Sequence, residues 1–232
     1  MTDLLFPLPQ PFSLPVQGQT ARYPLFRIFC VGRNYAAHAA EMGQEVDREA
    51  PFYFTKSVAH AVGSGTTQPY PSRTDNYHFE MEFAVTLGAE AWQLSEDRAM
   101  EAVHGYCCAL DMTRRDLQGQ AKDRGRPWDT GKDVEGSAVF GPVTAAAAFG
   151  PIDGQRIRLS VNGAVRQDGT LAELIHSVPA IIADLSGLYH LRPGDVIMTG
   201  TPAGVGPVRP GDVLEGSVDG LDPVHLTIGE PA

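Results

Sequence analysis

The sequence predicts an α+β, strand-dominated fold, and three observations carry that prediction. The 25 glycines and 18 prolines of this 232-residue chain are spread along it rather than gathered in a linker, which favours many turns between short elements. Apolar residues alternate with period two in several stretches, the mark of strands. Stretches with helical spacing are short, and fall mainly in the first half and just before the final strands. A chain of this length fits one core, so we expect an N-terminal arm over residues 1–26 and a single domain over 27–232.

After the irregular arm, RIFCVG (27–32) reads as a buried strand. NYAAHAAEMG follows as a short helix, with Asn34 to cap it and Gly43 to end it. PFYFTKS (51–57) is another strand. In NYHFEMEFAVTLG, read as one strand, Tyr77, Phe79, Met81, Phe83, Val85 and Leu87 line one face, and His78, Glu80, Glu82, Ala84 and Thr86 the other. Ser95, with Glu96 and Asp97 behind it, opens a helix to about Val103. GYCCALDM (105–112) returns to strand before TRRDLQGQAKDRG begins a helix, where Thr113 and Asp116 have capping-box spacing. Asp111 therefore falls at a strand-to-helix junction, where side chains commonly point into sites. RPWDTGKDVEG holds too many turn residues for regular structure. Asn162-Gly163 within RLSVNGAVRQ signals a type I′ hairpin, and Pro179 opens the helix PAIIADLSGLY. RPGDV occurs at 192–196 and again at 209–213, each time setting Pro-Gly at the centre of a type II turn before a strand.

The formal net charge is −10 with no basic run, which argues against nucleic acid and anionic membrane surfaces as partners. An anionic small molecule would need a local cation. The opening MTDLLFPLPQPFSLP is broken by prolines and has no Lys or Arg, unlike a signal peptide, and no apolar run is long enough for a membrane span. Three cysteines, Cys107 and Cys108 adjacent, form neither a disulfide framework nor a zinc spacing. A reducing cytoplasm fits best.

Glu80 and Glu82 sit roughly 7 Å apart on one strand face, either as a solvated face or as part of a cation site. With Asp111 they would make a hard oxygen donor set for Mg²⁺ or Mn²⁺; the alternative is three unrelated surface acids. His38 and Glu41, at i and i+3, share a helix face. They are either a surface pair or a dyad able to deprotonate water. Arg115, Gln118 and Lys122 share another face, which is an ordinary polar one or a binder of carboxylate and carbonyl groups. Gly131-Lys132 does not complete a P-loop, since Gly125 is one position too far away and Asp133 replaces the Ser or Thr. TGTPAGVGPV (199–208) is a substrate-contacting loop or a plain turn.

Taken in order between Arg27 and Gly220, GRNYAAHAAEMG, HFEMEF, LDMTRRDLQ, PWDTGKD and RPGDVIMTGTPAGVGPV resemble the fumarylacetoacetate hydrolase family. The resemblance implies a mixed β-roll with short peripheral helices, usually a homodimer. It implies metal-dependent hydrolysis of a carbon–carbon bond in a small anionic 2,4-dioxo acid, with fumarylpyruvate, cleaved to fumarate and pyruvate in aromatic catabolism, as the expected substrate. Glu80, Glu82 and Asp111 would be the metal ligands. His38 and Glu41 would activate water, Lys132 and Gln118 would face the developing oxyanion, and Arg33, Arg115 and Thr201 would touch the substrate. Oxaloacetate decarboxylation or oxo-acid isomerisation is the alternative within the family, and a non-catalytic β-rich binding module the alternative outside it. One departure stands out: Ser57 follows FTK where family members typically carry proline.

Overall fold

The computed structural model describes residues 5–7, 10–41, 43 and 48–232. Residues 1–4 and 8–9 of the expected arm, and Met42 in the expected first helix, lie outside the described residues. β1 (Ser13–Pro15) and β2 (Arg22–Pro24) form an antiparallel ribbon. β3 (Arg27–Gly32) is followed by α1 (Ala36–Glu41). Asn34 does not cap α1. Its Nδ2 donates to the carbonyls of His176 and Thr199, and its Oδ1 accepts from the His176 N–H, so the side chain joins three segments instead.

β4 (Phe52–Lys56) pairs with β3, and β5 (Ala61–Gly63) and β6 (Thr66–Pro69) follow. The expected long strand is broken at Glu80 into β7 (Tyr77–Phe79) and β8 (Met81–Leu87). The break has a cause in hydrogen bonding. The Glu80 carbonyl accepts from the Asp111 N–H at 2.9 Å, and the Met81 N–H donates to the Gln167 side chain at 2.9 Å, so the chain crosses from one sheet to another at this point. Residues Glu96–Ala102 form 3-10 turns rather than an α-helix, and the Ser95 hydroxyl makes no cap bond.

β9 (Val103–Asp111) leads into the two-residue β10 (Thr113–Arg114) and then α2 (Arg115–Asp123). The capping box expected of Thr113 and Asp116 is absent because both side chains are engaged elsewhere. Thr113 Oγ1 donates to the Asp111 carbonyl, and Asp116 accepts from the Thr74 hydroxyl and the Asp75 N–H. The segment expected to be irregular contains one helical turn, α3 (Asp129–Lys132). β11 (Ala138–Phe140), β12 (Thr144–Ala145) and α4 (Ala146–Phe149) precede the hairpin of β13 (Arg156–Val161) and β14 (Ala164–Thr170). Asn162 and Gly163 turn it at φ 52° and 78°, the left-handed pair a type I′ turn requires.

Ser177 caps α5 (Val178–Leu188) by accepting from the Ala180 N–H, with Pro179 in the first turn. β15 (Asp195–Met198), β16 (Gly206–Pro207), β17 (Val213–Val218) and β18 (Val224–Gly229) complete the chain. The two RPGDV turns are built alike. The Asp195 and Asp212 N–H groups close them onto the Arg192 and Arg209 carbonyls at 3.1 Å, and the same aspartates accept from the arginine N–H groups.

An eight-stranded sheet runs β4-β3-β15-β8-β9-β11-β5, with β12 beside β9; a five-stranded sheet runs β14-β13-β17-β18-β6; and β7 lies between β10 and β16. Between the two large sheets, Phe83, Val85, Tyr106, Cys108 and Leu110 meet Ile157, Leu159, Leu214, Leu226 and Ile228, and α5 adds Ile181, Ile182 and Leu185. The other face of the large sheet is covered by Leu14, Val16, Tyr23 and Leu25, packed on Cys30, Ala84, Cys107, Phe140 and Met198. β8 is therefore buried on both faces, each large apolar side chain in it contributing roughly 1.5–3 kcal/mol. Among the described residues no helix is long and apolar enough to cross a membrane.

Candidate active site

β8 and β9 pair antiparallel with Met81 opposite Leu110 and Glu82 opposite Ala109. Continued by one residue, that register sets Glu80 opposite Asp111. Glu80, Glu82 and Asp111 thus share one face, as cross-strand and diagonal neighbours do, and a carboxylate oxygen from each lies within 4.8 Å of the others. All three are buried, Asp111 completely. A solvated strand face is excluded.

Positive groups come from three other elements. Lys132, at the end of α3, donates from Nζ to Glu80 Oε2 at 2.6 Å and Asp111 Oδ2 at 2.7 Å. Arg115, at the start of α2, pairs with Glu80 Oε1 and donates to Gln118 Oε1 at 2.6 Å. Lys56, at the end of β4, has its Nζ 2.9 Å from Asp111 Oδ1 and donates to the carbonyls of Met112 and Lys132 and to Ser137 Oγ. Gly131 makes the approach of α3 possible. A Cβ there would lie 2.7 Å from the Gln118 nitrogen and 2.8 Å from its Cα, so only glycine lets α3 press against α2 and bring Lys132 beside Gln118.

The charges are unevenly balanced. Burial alone would raise the Glu80 carboxyl, but Lys132, Arg115 and His38 hold it well below the usual carboxylate range. For Glu82, burial and then the charges of Asp111 and Glu80 push the carboxyl well above that range. Its one hydrogen bond among the described residues is from the Gly200 N–H, at 2.7 Å. Lys132 is raised above the ordinary lysine value because Asp111 and Glu80 outweigh the cost of its burial. The cluster is short of positive charge at Glu82, and its donors are all oxygen. That donor set fits Mg²⁺ or Mn²⁺.

α1 brings His38 over the cluster. Its Nδ1 lies 3.4 Å from Glu41 Oε2, and Glu41 also accepts from the Gly204 N–H, which ties α1 to the glycine-rich loop after β15. Burial lowers the His38 pKa from its ordinary value, against the opposing pull of Glu80 and Glu41. The imidazole is neutral at pH 7. With Nδ1–H directed at a carboxylate, Nε2 is the basic nitrogen.

These groups surround a cavity of about 260 Å³ lined by His38, Glu80, Glu82, Arg115, Gln118 and Lys132, and also by Arg33, Phe54, Lys122, Trp128 and Thr201. Of the residues expected from sequence, Asp111, fully buried, and Glu41, paired with His38 Nδ1, are not in the lining. Arg33 adopts φ 60°, rare for a residue with a Cβ, and its guanidinium lies 5.7 Å from the Phe52 ring and 5.9 Å from the Trp128 ring. Thr201 Oγ1 accepts from Gln167 Nε2 at 2.8 Å. Lys56, Gly131 and Gly200 also build the site, and the local motifs of the sequence assign them no part in it. One signal was present for Lys56: it continues the strand face of Phe52 and Phe54, where an unexplained charge marks a buried partner.

A family profile described as the C-terminal region of fumarylacetoacetate hydrolase matches residues 27–228. A fumarylpyruvate hydrolase of a Ralstonia species is 49% identical over 190 residues, spanning 81% of this chain and 98% of that protein. An oxaloacetate tautomerase of Escherichia coli is 40% identical over 205 residues, or 88% of this chain and 93% of that one. The crystal structure of a fumarylpyruvate hydrolase from Pseudomonas aeruginosa, in complex with Mn²⁺ and pyruvate, superposes with a TM-score of 0.95 at 41% identity, covering 98% of this chain and all of that one.

Proposed function

The chain belongs to the fumarylacetoacetate hydrolase family, and from that premise we propose that it hydrolyses the carbon–carbon bond of an acylpyruvate, with fumarylpyruvate cleaved to fumarate and pyruvate. One observation carries this reading: Glu80 and Glu82 of a buried three-carboxylate cluster line one cavity together with His38, whose Nδ1 is paired with Glu41. Glu80, Glu82 and Asp111 would hold a divalent ion, Mg²⁺ or Mn²⁺. When bound, it would supply Lewis acidity toward the substrate's 2-oxo acid end.

The protein's own residues do the rest. His38 Nε2 takes a proton from water as the water oxygen adds to C4, while Glu41 steadies the imidazolium through Nδ1. Lys132 donates two of its N–H groups to Glu80 and Asp111, so among the described residues the third is left for the C4 oxyanion. Gln118 turns its carbonyl to Arg115, which leaves its Nε2 donors for the same oxygen. Each such donor is worth about 3 kcal/mol to the transition state. Collapse of the oxyanion breaks the C3–C4 bond, releasing fumarate and the enolate of pyruvate, and protonation at C3 gives pyruvate. Arg33, Arg115 and Thr201 bind and orient the substrate.

Oxaloacetate tautomerisation at the same site is a second reading, favoured by the E. coli relative's activity. Moving a proton between carbon and oxygen also needs a base, which the His38–Glu41 pair would supply equally well, so what favours hydrolysis is the higher identity to the fumarylpyruvate hydrolase, 49% against 40%. A panel of acylpyruvates and oxaloacetate, assayed with Mg²⁺, with Mn²⁺ and without metal, tests the choice. Metal-dependent tautomerisation with no cleavage of any acylpyruvate would reverse it. We place the activity in cytoplasmic aromatic catabolism, by a homodimer, as the family resemblance implies. Sedimentation at assay concentration tests the dimer, which a fully active monomer would remove.

A further inference from the structure

Two residues that follow buried lysines touch each other. Ser57 comes after Lys56 and Asp133 after Lys132, the pair of ammonium groups that grip Asp111 from either side. The Ser57 N–H donates to Asp133 Oδ1 at 2.9 Å, and the His60 ring reaches the same oxygen from Nδ1 at 2.7 Å. A 3-10 turn over Val58–His60, capped by the Ser57 hydroxyl on the Ala59 N–H, presents that ring. Asp133 itself closes α3 by donating its N–H to the Asp129 carbonyl at 2.7 Å. It is not among the residues that line the cavity.

The two lysines are held very differently. Lys56 sits in a sheet ladder, opposite Ile28 of β3. Lys132 ends a helix of four residues, far too short to hold its own conformation. We propose that Asp133 is a positioning residue: by accepting from the Ser57 N–H and the His60 ring, it fastens the end of α3 to the edge of the large sheet and so fixes the Lys132 ammonium between Glu80 and Asp111. This rests on the reading of Lys132 as an oxyanion donor. It also gives Ser57 a task that a proline at that position would not perform, because the bond needs a backbone N–H.

The backbone offers a selective probe. Ser57 has φ −69°, close to the value of about −65° that a proline ring fixes, and Lys56 before it is a strand residue, as a proline prefers. Ser57→Pro therefore removes the N–H without displacing the chain, and Ser57→Ala controls for the lost hydroxyl. With metal-loaded full-length protein, Asp133→Ala is expected to lower kcat about tenfold or more while KM moves less than about threefold, since a small misplacement of a catalytic group costs rate before binding. Asp133→Asn keeps an oxygen acceptor and should recover most of the loss. Ser57→Pro should lose clearly more kcat than Ser57→Ala.

A merely structural role would lower the melting temperature and leave kcat unchanged well below it. A crystal structure of Asp133→Ala supplies an arm that does not depend on the reaction: Lys132 Nζ should leave Glu80 and Asp111, and should return in Asp133→Asn. If the wild-type protein cleaves no acylpyruvate, the functional reading fails and this second arm alone decides the positioning role. Wild-type kcat in Asp133→Ala, or an unmoved Lys132 in its structure, overturns the proposal.

Discussion

His38 stays uncharged at pH values where an exposed imidazole has begun to protonate, because burial disfavours its cation. A base must be neutral to accept a proton, so the acid limb of kcat/KM should lie below the ordinary histidine value of about 6.5. An acid limb at or above pH 7 would contradict the assignment. His38→Ala should cost about 10² to 10⁴ in hydrolysis while Mn²⁺ binding, measured by titration calorimetry, stays near wild type, because His38 holds none of the three carboxylates. Glu41 acts through His38, and the double variant should be little slower than His38→Ala alone. Residues of this kind were legible because their spacing survives in sequence: i and i+3 for the dyad, i and i+2 for the glutamates. Asn34 was misread for the opposite reason. Its motif suits a helix cap, but its amide finds three backbone partners from remote segments, which no local pattern reports.

The strand expected over Tyr77–Leu87 shows where local patterning stops. Its alternation is genuine, and Tyr77, Phe79, Met81, Phe83, Val85 and Leu87 are all buried in one cluster. The break at Glu80 depends on Asp111 and Gln167, residues distant in the chain. α3 was likewise hidden, since RPWDTGKDVEG is rich in turn formers and its single helical turn exists by packing on α2 at Gly131. That contact makes a prediction. Gly131→Ala forces a Cβ against the Gln118 backbone, and overpacking of this kind costs about 1–3 kcal/mol. It should also separate Lys132 from Gln118. Chemical denaturation should report the lost stability, and kcat at a temperature where the variant is folded should fall about tenfold or more. An alanine variant with unchanged stability and rate would show that the helices meet less closely than this packing requires.

The order of motifs along the chain made the fold and family readable, and the sheets bear out the strand-dominated class: two large sheets around one core, with short helices at the edge. Sequence did not disclose how the second apolar cluster forms, because the segment that covers it, Leu14 to Leu25, has few periodic features of its own. For a chain of net charge −10, the sequence offers a divalent ion as the local cation that an anionic ligand would need. The structure gathers Arg33, Arg115, Lys122 and Lys132 around one cavity, and a divalent ion on the carboxylate cluster would add to them. If this cavity cleaves a 2,4-dioxo acid with water activated by His38, fumarate and pyruvate can be quantified from fumarylpyruvate with wild-type protein, with chelated protein and with Mn²⁺-loaded His38→Ala. Equal amounts of both products are expected from the wild type, almost none after chelation, and at least about a 10²-fold slower release from His38→Ala. Fumarylpyruvate recovered intact from the metal-loaded wild type, or cleaved as fast by His38→Ala, would contradict that reading.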